Sequence, residues 1–318
     1  AVLSFFYVWL YNAFPLMLAL AGLHFAAVFL LERRLDFRPM LWVGAGLLLG
    51  VLINPYFPNN LIFTYHHMVP KLLDATSTSV GNEWYPYDTN QLLNNSMPAL
   101  IALAGGSLAL GLSGRKMDTR TATVFLVTLL FALMLFKARR FVEYFPPFAL
   151  IFAAFAVTPL FPAVQSTEIS GRFRAFLQTN WHVFLLAVLV LAGIRISILA
   201  ARDQISGSKP YHLYAGASAW LEKNTPAGER VFQTDWDDFP LLFFYNTHNT
   251  YLVGLDPTYM QLYDPDLYDE WVAVTRGNVD QPSEVILKRF SARYVHTDLH
   301  HTKFISQAEK DPRLVEVY

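Results

Sequence analysis

The sequence predicts a polytopic α-helical membrane domain of about six transmembrane helices, followed by a C-terminal extracytoplasmic α/β domain. Three observations carry that prediction. Six apolar runs, roughly 11–31, 39–55, 98–114, 120–137, 144–164 and 181–201, reach or approach the ~20 residues that cross a bilayer core. Charged residues make up only 15% of the 318-residue chain, against about a quarter in an ordinary soluble protein. After residue 202 the long apolar runs give way to short β-rich runs alternating with helical ones. The domains are therefore read as 1–202 and 203–318.

The charge distribution follows the same division. Residues 1–200 hold 13 Lys/Arg against 8 Asp/Glu, a net of +5, while residues 201–318 hold 11 against 17, a net of −6. A near-neutral total thus covers a basic apolar half and an acidic water-compatible half. The chain has no cysteine, which excludes disulfides and thiolate metal sites. Its opening, AVLSFFYVWLYNAF, lacks the basic n-region of a signal peptide and reads as the middle of a longer membrane protein. The charge balance gives no reason to expect nucleic-acid binding.

Taken in order, the first two apolar runs are separated by a basic connection carrying Arg33, Arg34 and Arg38. A long segment, 56–97, follows, mixing Trp, Tyr and Phe with Asn, Asp and Glu. Aromatic rings with polar tips favour the membrane interface, so this segment is expected to form an outer-face loop. The next connections carry Arg115, Lys116 and Arg120, then Lys137, Arg139 and Arg140, then Arg172 and Arg174. Sorting by the excess of cations on cytoplasmic loops sets eight against four, the four being Lys71 in the 56–97 segment with Lys137, Arg139 and Arg140, and puts the C-terminal domain outside. Arg195, inside the last run, is expected to snorkel.

In the C-terminal part, YHLYAGASAWLEKNTPAGE reads as a helix and RVFQTDW as a strand. DFPLLFFYNTH reads as a helix, NTYLVGL as a strand, and PTYMQLYDPDLYDEWVAVTRGN as further helix. SEVILKRFS is a helix, ARYVHTDL a strand and VEVY a last strand. Helices alternating with short strands imply a three-layer α/β arrangement with a mostly parallel sheet.

Three cations, Lys137, Arg139 and Arg140, stand against the sorting rule on the outer edge. Arg forks match phosphate oxygens bidentately and Lys adds a point charge, so the cluster suits a lipid phosphate. Glu143, one turn away, is placed to orient a guanidinium. The other readings are attachment to anionic headgroups in general, or an ion pair with Glu143. Glu83 and Asp88, flanking Trp84, Tyr85 and Tyr87, suit general-base work on an acceptor hydroxyl with sugar stacking, or else are solvated acids in an aromatic anchor. Asp235, Asp237 and Asp238 follow a predicted strand, and Asp256 follows the next. At the C-terminal ends of parallel strands they form an acceptor or divalent-cation site, or simply cap helices, as Asp238 and Asp256 are positioned to do. In HTDLHH, strand alternation puts His296, Asp298 and His300 on one face, a zinc-like arrangement in a short cluster near a surface loop that also holds His301. His66 and His67 read as interfacial polar residues.

Three stretches, LINPYFPNN (52–60), ARRFVEYFPPFALIFAAF (138–155) and DWDDFPLLFFYNTHNTYLVGLDPTYM (235–260), resemble bacterial polytopic membrane proteins related to the GT-C glycosyltransferases. The resemblance implies a multi-helix domain in the bacterial inner membrane joined to a periplasmic or extracellular C-terminal domain. It further implies a polyprenyl-phosphate-linked sugar as donor, with Lys137, Arg139 and Arg140 at the position where the family holds the lipid phosphate. The family's main catalytic acid lies in a first extracytoplasmic loop, which this reading places upstream of the chain, and the Trp-Trp-Asp signature of oligosaccharyltransferases is absent. The alternative from another class is a non-catalytic GT-C-like subunit that scaffolds a larger complex with other membrane subunits. A transporter is a third reading, which charges at the edges rather than the centres of the runs disfavour.

Overall fold

The computed structural model describes residues 1–73, 82–160 and 172–318. Its contacts divide into two compact units, Ala1–Phe161 and Pro162–Tyr318. The contact division therefore counts the sixth apolar run with the second unit, whereas composition groups it with the first.

The first unit is helical throughout. In chain order its helices are α1 (Val2–Leu10), α2 (Pro15–Glu32), α3 (Arg38–Leu52), α4 (Asn59–Leu73), α5 (Thr89–Ser113), α6 (Thr119–Lys137) and α7 (Phe145–Val157). Asp88 and Asp118 start α5 and α6 by accepting hydrogen bonds from the backbone N–H of Gln91 and Thr121, at 3.0 and 2.7 Å. Gly114, left-handed at φ 59°, closes α5 where a side chain would be strained. α7 packs on α5 and α6, and α2 packs on α6 and α3. Phe131, Phe145 and Phe152 are completely buried there, and Phe131 stacks on Tyr144 and Phe148 with ring centroids 5.2 Å apart.

α1 lies against α3 along two glycines spaced four apart. A Cβ on Gly50 would sit 2.6 Å from the Phe5 carbonyl oxygen, and one on Gly46 would overlap the Ala1 carbonyl and the Ser4 hydroxyl. The bare backbone also lets Trp9 Nε1 donate to the Gly50 carbonyl at 3.0 Å. Small residues at this spacing are how helices approach closely where the hydrophobic effect gives no drive.

Two expectations change here. The outer segment 56–97 is not a plain loop: α4 and the first turns of α5 occupy much of it, and residues 74–81 of that reading lie outside the described residues. His66 and His67 ride on α4. The apolar run that starts at residue 98 belongs to a helix that starts at 89, because the preceding QLLNNS is helix-compatible yet too polar to register as apolar. In addition, the connection read at 165–180 is helical from Arg172 onward, and its earlier residues lie outside the described set.

Four described helices are long and apolar enough to cross a membrane: Pro15–Glu32, Thr89–Ser113, Thr119–Lys137 and Val183–Ser206. Arg38–Leu52 and Phe145–Leu160 are apolar but shorter. At ~1.5 Å per residue, the 15 residues of α3 reach only ~22 Å of a ~30 Å core.

The second unit opens with α8 (Arg172–Ser206), whose residues from Val183 to Ser206 are all exposed. It continues with α9 (Ala215–Asn224), β1 (Arg230–Gln233), α10 (Phe239–Tyr245), β2 (Thr250–Tyr251), α11 (Thr258–Tyr263), α12 (Pro265–Thr275), α13 (Pro282–Phe290), β3 (Tyr294–His296) and α14 (Thr302–Ala308). The strands form a parallel sheet in the order β2-β1-β3, with Val231 opposite both Tyr251 and Tyr294 and Gln233 opposite His296. Phe232, Trp271, Val274, Ile286, Phe290 and Phe304 form the core around it. Gln233 is wholly buried because its side-chain amide extends the ladder: Oε1 accepts from Leu252 N at 3.0 Å and Nε2 donates to the Val253 carbonyl. The expected last strand, VEVY, is not one. Val315 and Val317 are both exposed, so neither face of that alternation has a core to enter.

Candidate functional site

α6 ends at Lys137, a position where a cation complements the helix C-terminus. Ala138 then turns extended and buried, and a 3-10 turn, Arg139–Glu143, delivers the chain into α7. A short segment before α5, Glu83–Asp88, docks on this turn through its backbone: Arg139 N donates to the Tyr85 carbonyl at 3.0 Å. That one bond sets the geometry of the site. Arg139 Nε donates to the Pro86 carbonyl at 3.2 Å, and its guanidinium carbon stands 5.3 Å from the centre of the Tyr87 ring. Arg140 donates through a terminal nitrogen to Glu83 Oε2 at 2.7 Å. Tyr144, just beyond the turn, is hydrogen-bonded to Tyr11.

Two adjacent arginines are thus used differently. Arg140 is matched by Glu83, with both side chains partly exposed. Arg139 has no carboxylate partner within 4 Å among the described residues; a carbonyl and an aromatic face hold it, and neither neutralises its charge. Its terminal N–H groups remain a fork suited to phosphate or carboxylate oxygens.

The sequence places Glu143 as the orienting acid, and here the structure differs. Glu143 is exposed and makes no ion pair among the described residues, whereas Glu83, 57 residues from Arg140, supplies the carboxylate. Glu143, three residues from Arg140, still acts on that guanidinium through its charge, but among the described residues Glu83 is the carboxylate within hydrogen-bond distance. Asp88, weighed as a base, caps α5.

In the second unit the acidic candidates serve local geometry. Asp235 Oδ1 accepts from Asp237 N at 3.3 Å, and burial pushes the Asp235 carboxyl up. Asp237 lies 4.0 Å from Lys209, and Asp256 accepts from Thr258 N at 2.9 Å at the start of α11. His300 and His301 both turn Nδ1 to Asp298, at 3.2 and 2.7 Å, while His296 is buried with Nδ1 toward Asp238. Among the described residues no three His, Cys, Asp or Glu side chains converge as a metal site. Asp238, read as a cap, makes no side-chain cap bond. Its carboxylate is instead fully buried against Tyr214 and Lys209.

The fold and these side chains define a class: a helical membrane protein carrying a small parallel α/β unit. Beyond the class, no protein-family model matches the chain. No curated protein matches it either.

Proposed function

We propose that this chain holds the phosphate of a membrane lipid at Arg139, with Arg140 and Lys137 beside it, as part of a GT-C-like glycosyltransferase. The donor would be a polyprenyl-phosphate-linked sugar at the outer face of a bacterial inner membrane, with residues 203–318 periplasmic or extracellular. The observation that carries this reading is the unneutralised Arg139 guanidinium, fixed over Tyr87 at the end of an apolar helix. A guanidinium without a carboxylate partner at the end of an apolar helix is matched by negative charge, and a lipid phosphate supplies it from the bilayer. In sugar transfer the bond between the anomeric carbon and the phosphate oxygen breaks, and the phosphate leaves with the electron pair. Fixed cations stabilise that developing charge.

A specific observation favours the non-catalytic alternative, a GT-C-like subunit scaffolding a larger membrane complex. The two acids weighed as bases are engaged elsewhere, Glu83 in the ion pair and Asp88 in the helix cap. Both readings share the lipid site, so binding is the first thing to test. Arg139→Ala in the purified, detergent-solubilised chain should weaken polyprenyl-phosphate binding by roughly 10- to 100-fold, the equivalent of one charge-assisted hydrogen bond of about 1.5–3 kcal/mol. Unchanged affinity in a folded variant would reject the site.

A further inference from the structure

At the C-terminal edge of the parallel sheet, two buried polar atoms face each other without partners. Asp238, five residues past the end of β1, is completely buried. Its Oδ1 accepts from the Tyr214 hydroxyl at 2.8 Å and from Lys209 Nζ at 3.5 Å. Its Oδ2 has no hydrogen-bond partner among the described residues and lies 3.9 Å from His296 Nδ1, which has none either. His296 is the last residue of β3 and keeps 8% of its surface exposed. Leaving such groups unpaired is costly, the more so for a charge, so their survival calls for a use.

Three further features point the same way. The pair sits where open parallel sheets place their ligands, beyond the carboxyl ends of adjacent strands. Tyr214 is held at φ 68°, a strained conformation for a bulky residue, and packs edge-on to His296 at 4.5 Å while bonding Asp238. Asp298 and Asp237 act on the same groups from the loops after β3 and β1, with Asp235 and His301 close by. Burial pushes the His296 imidazole down despite Asp238 and Asp298, which keeps it neutral near pH 7.

We propose that His296, positioned by Asp238 and Tyr214, holds a neutral hydroxyl-bearing ligand at the C-terminal edge of the sheet by accepting a hydrogen bond from the ligand hydroxyl at Nε2. With Nδ1 turned to Asp238, the neutral ring carries its proton there, and Nε2 is the basic nitrogen. A contraction of about 1 Å closes the 3.9 Å gap to hydrogen-bond length, and such bonds are often long in ligand-free sites. Three carboxylates, Asp235, Asp237 and Asp238, act on Lys209, and a fourth, Asp298, acts on His296 and Tyr214, so a phosphate is repelled and a neutral polyol is not. The inference stands independently of the lipid site.

The test uses the full chain with diethyl pyrocarbonate, which acylates an accessible neutral imidazole nitrogen, and reads each histidine by mass spectrometry. At pH 7, His296 should react, and Asp238→Asn and Tyr214→Phe should each slow it several-fold without loss of the folded state. Glucose in excess should protect His296, and inorganic phosphate should not. Nitrogen-15 spectra should show the Nδ1–H tautomer in the wild type, lost in Asp238→Asn. An unreactive His296, the same tautomer in the variant, or protection by phosphate rather than glucose would overturn the proposal. Tyr214→Phe keeps the test decisive if Asp238→Asn does not fold.

Discussion

Arg139 and Arg140 stand side by side in sequence and differ in what neutralises them. The Glu83 pair is a partly exposed ion pair, and such pairs contribute about 0–1 kcal/mol. Glu83→Gln is therefore expected to change unfolding stability by less than about 1 kcal/mol, while releasing Arg140 and tightening binding to vesicles of anionic lipid. Vesicle co-sedimentation reads the second effect; weaker binding would mean that the carboxylate orients the arginine rather than competing with the lipid. The cations were legible in the sequence because three positive charges between two oily runs break the usual loop sorting. Their carboxylate was not, since only the docking of residue 85 on residue 139 brings Glu83 near. Asp238 was half legible: its place after a strand marked a ligand-binding edge and its place before a helix read as a cap, and only tertiary contacts show the carboxylate turned inward.

His296 also makes a pH prediction. Burial depresses its folded-state pKa below the ordinary value near 6.5, so the unfolded chain binds the extra proton first. Stability of the second unit should consequently fall as pH drops from about 6.5 toward the depressed value, and His296→Gln should flatten that slope. The carboxylates held low, Asp298 and Asp311, lose their contribution only below about pH 4 and do not obscure this window. Denaturant titrations between pH 5 and 7 measure it; an unchanged slope in the variant would show that another group titrates there.

Among the elements, the seam between α1 and α3 depends on Gly46 and Gly50 having no side chains. Gly50→Leu should drive a side chain into the Phe5 carbonyl and Val8, separating the helices and costing roughly 1–3 kcal/mol by overpacking. Thermal unfolding in detergent checks this, and an undisturbed melting temperature would show that α1 is not seated as described. Most helices were readable from apolar runs, and the three strands from short β-branched segments ahead of turn residues. α4 was not, because NNLIFTYHHMVPKLL alternates polar and apolar faces and scores as interfacial loop. VEVY carried the opposite lesson, since strand-like alternation forms no strand without a core to face.

At the scale of the molecule, α8 makes the strongest case for a membrane. Leu186, Leu191, Ile196, Ile198 and their neighbours are exposed along a run of 24 residues whose most apolar 18-residue stretch has mean hydropathy 2.6. Each large apolar side chain left in water forgoes about 1.5–3 kcal/mol of burial, a deficit no marginally stable domain tolerates. A bilayer removes the deficit, and under the proposed function it would also supply the counter-charge of Arg139. The division into an apolar and an acidic half was plain from composition, whereas the convergence of distant residues on one turn was not.

The central claim is that an anionic lipid headgroup neutralises Arg139. A cryo-electron microscopy map of the chain purified with native lipid in a nanodisc tests it most directly. The account predicts phosphate density within hydrogen-bond distance of the Arg139 terminal nitrogens, beside the Tyr87 ring. An Arg139 side chain paired instead with a protein carboxylate, and no lipid phosphate against it, would contradict the account.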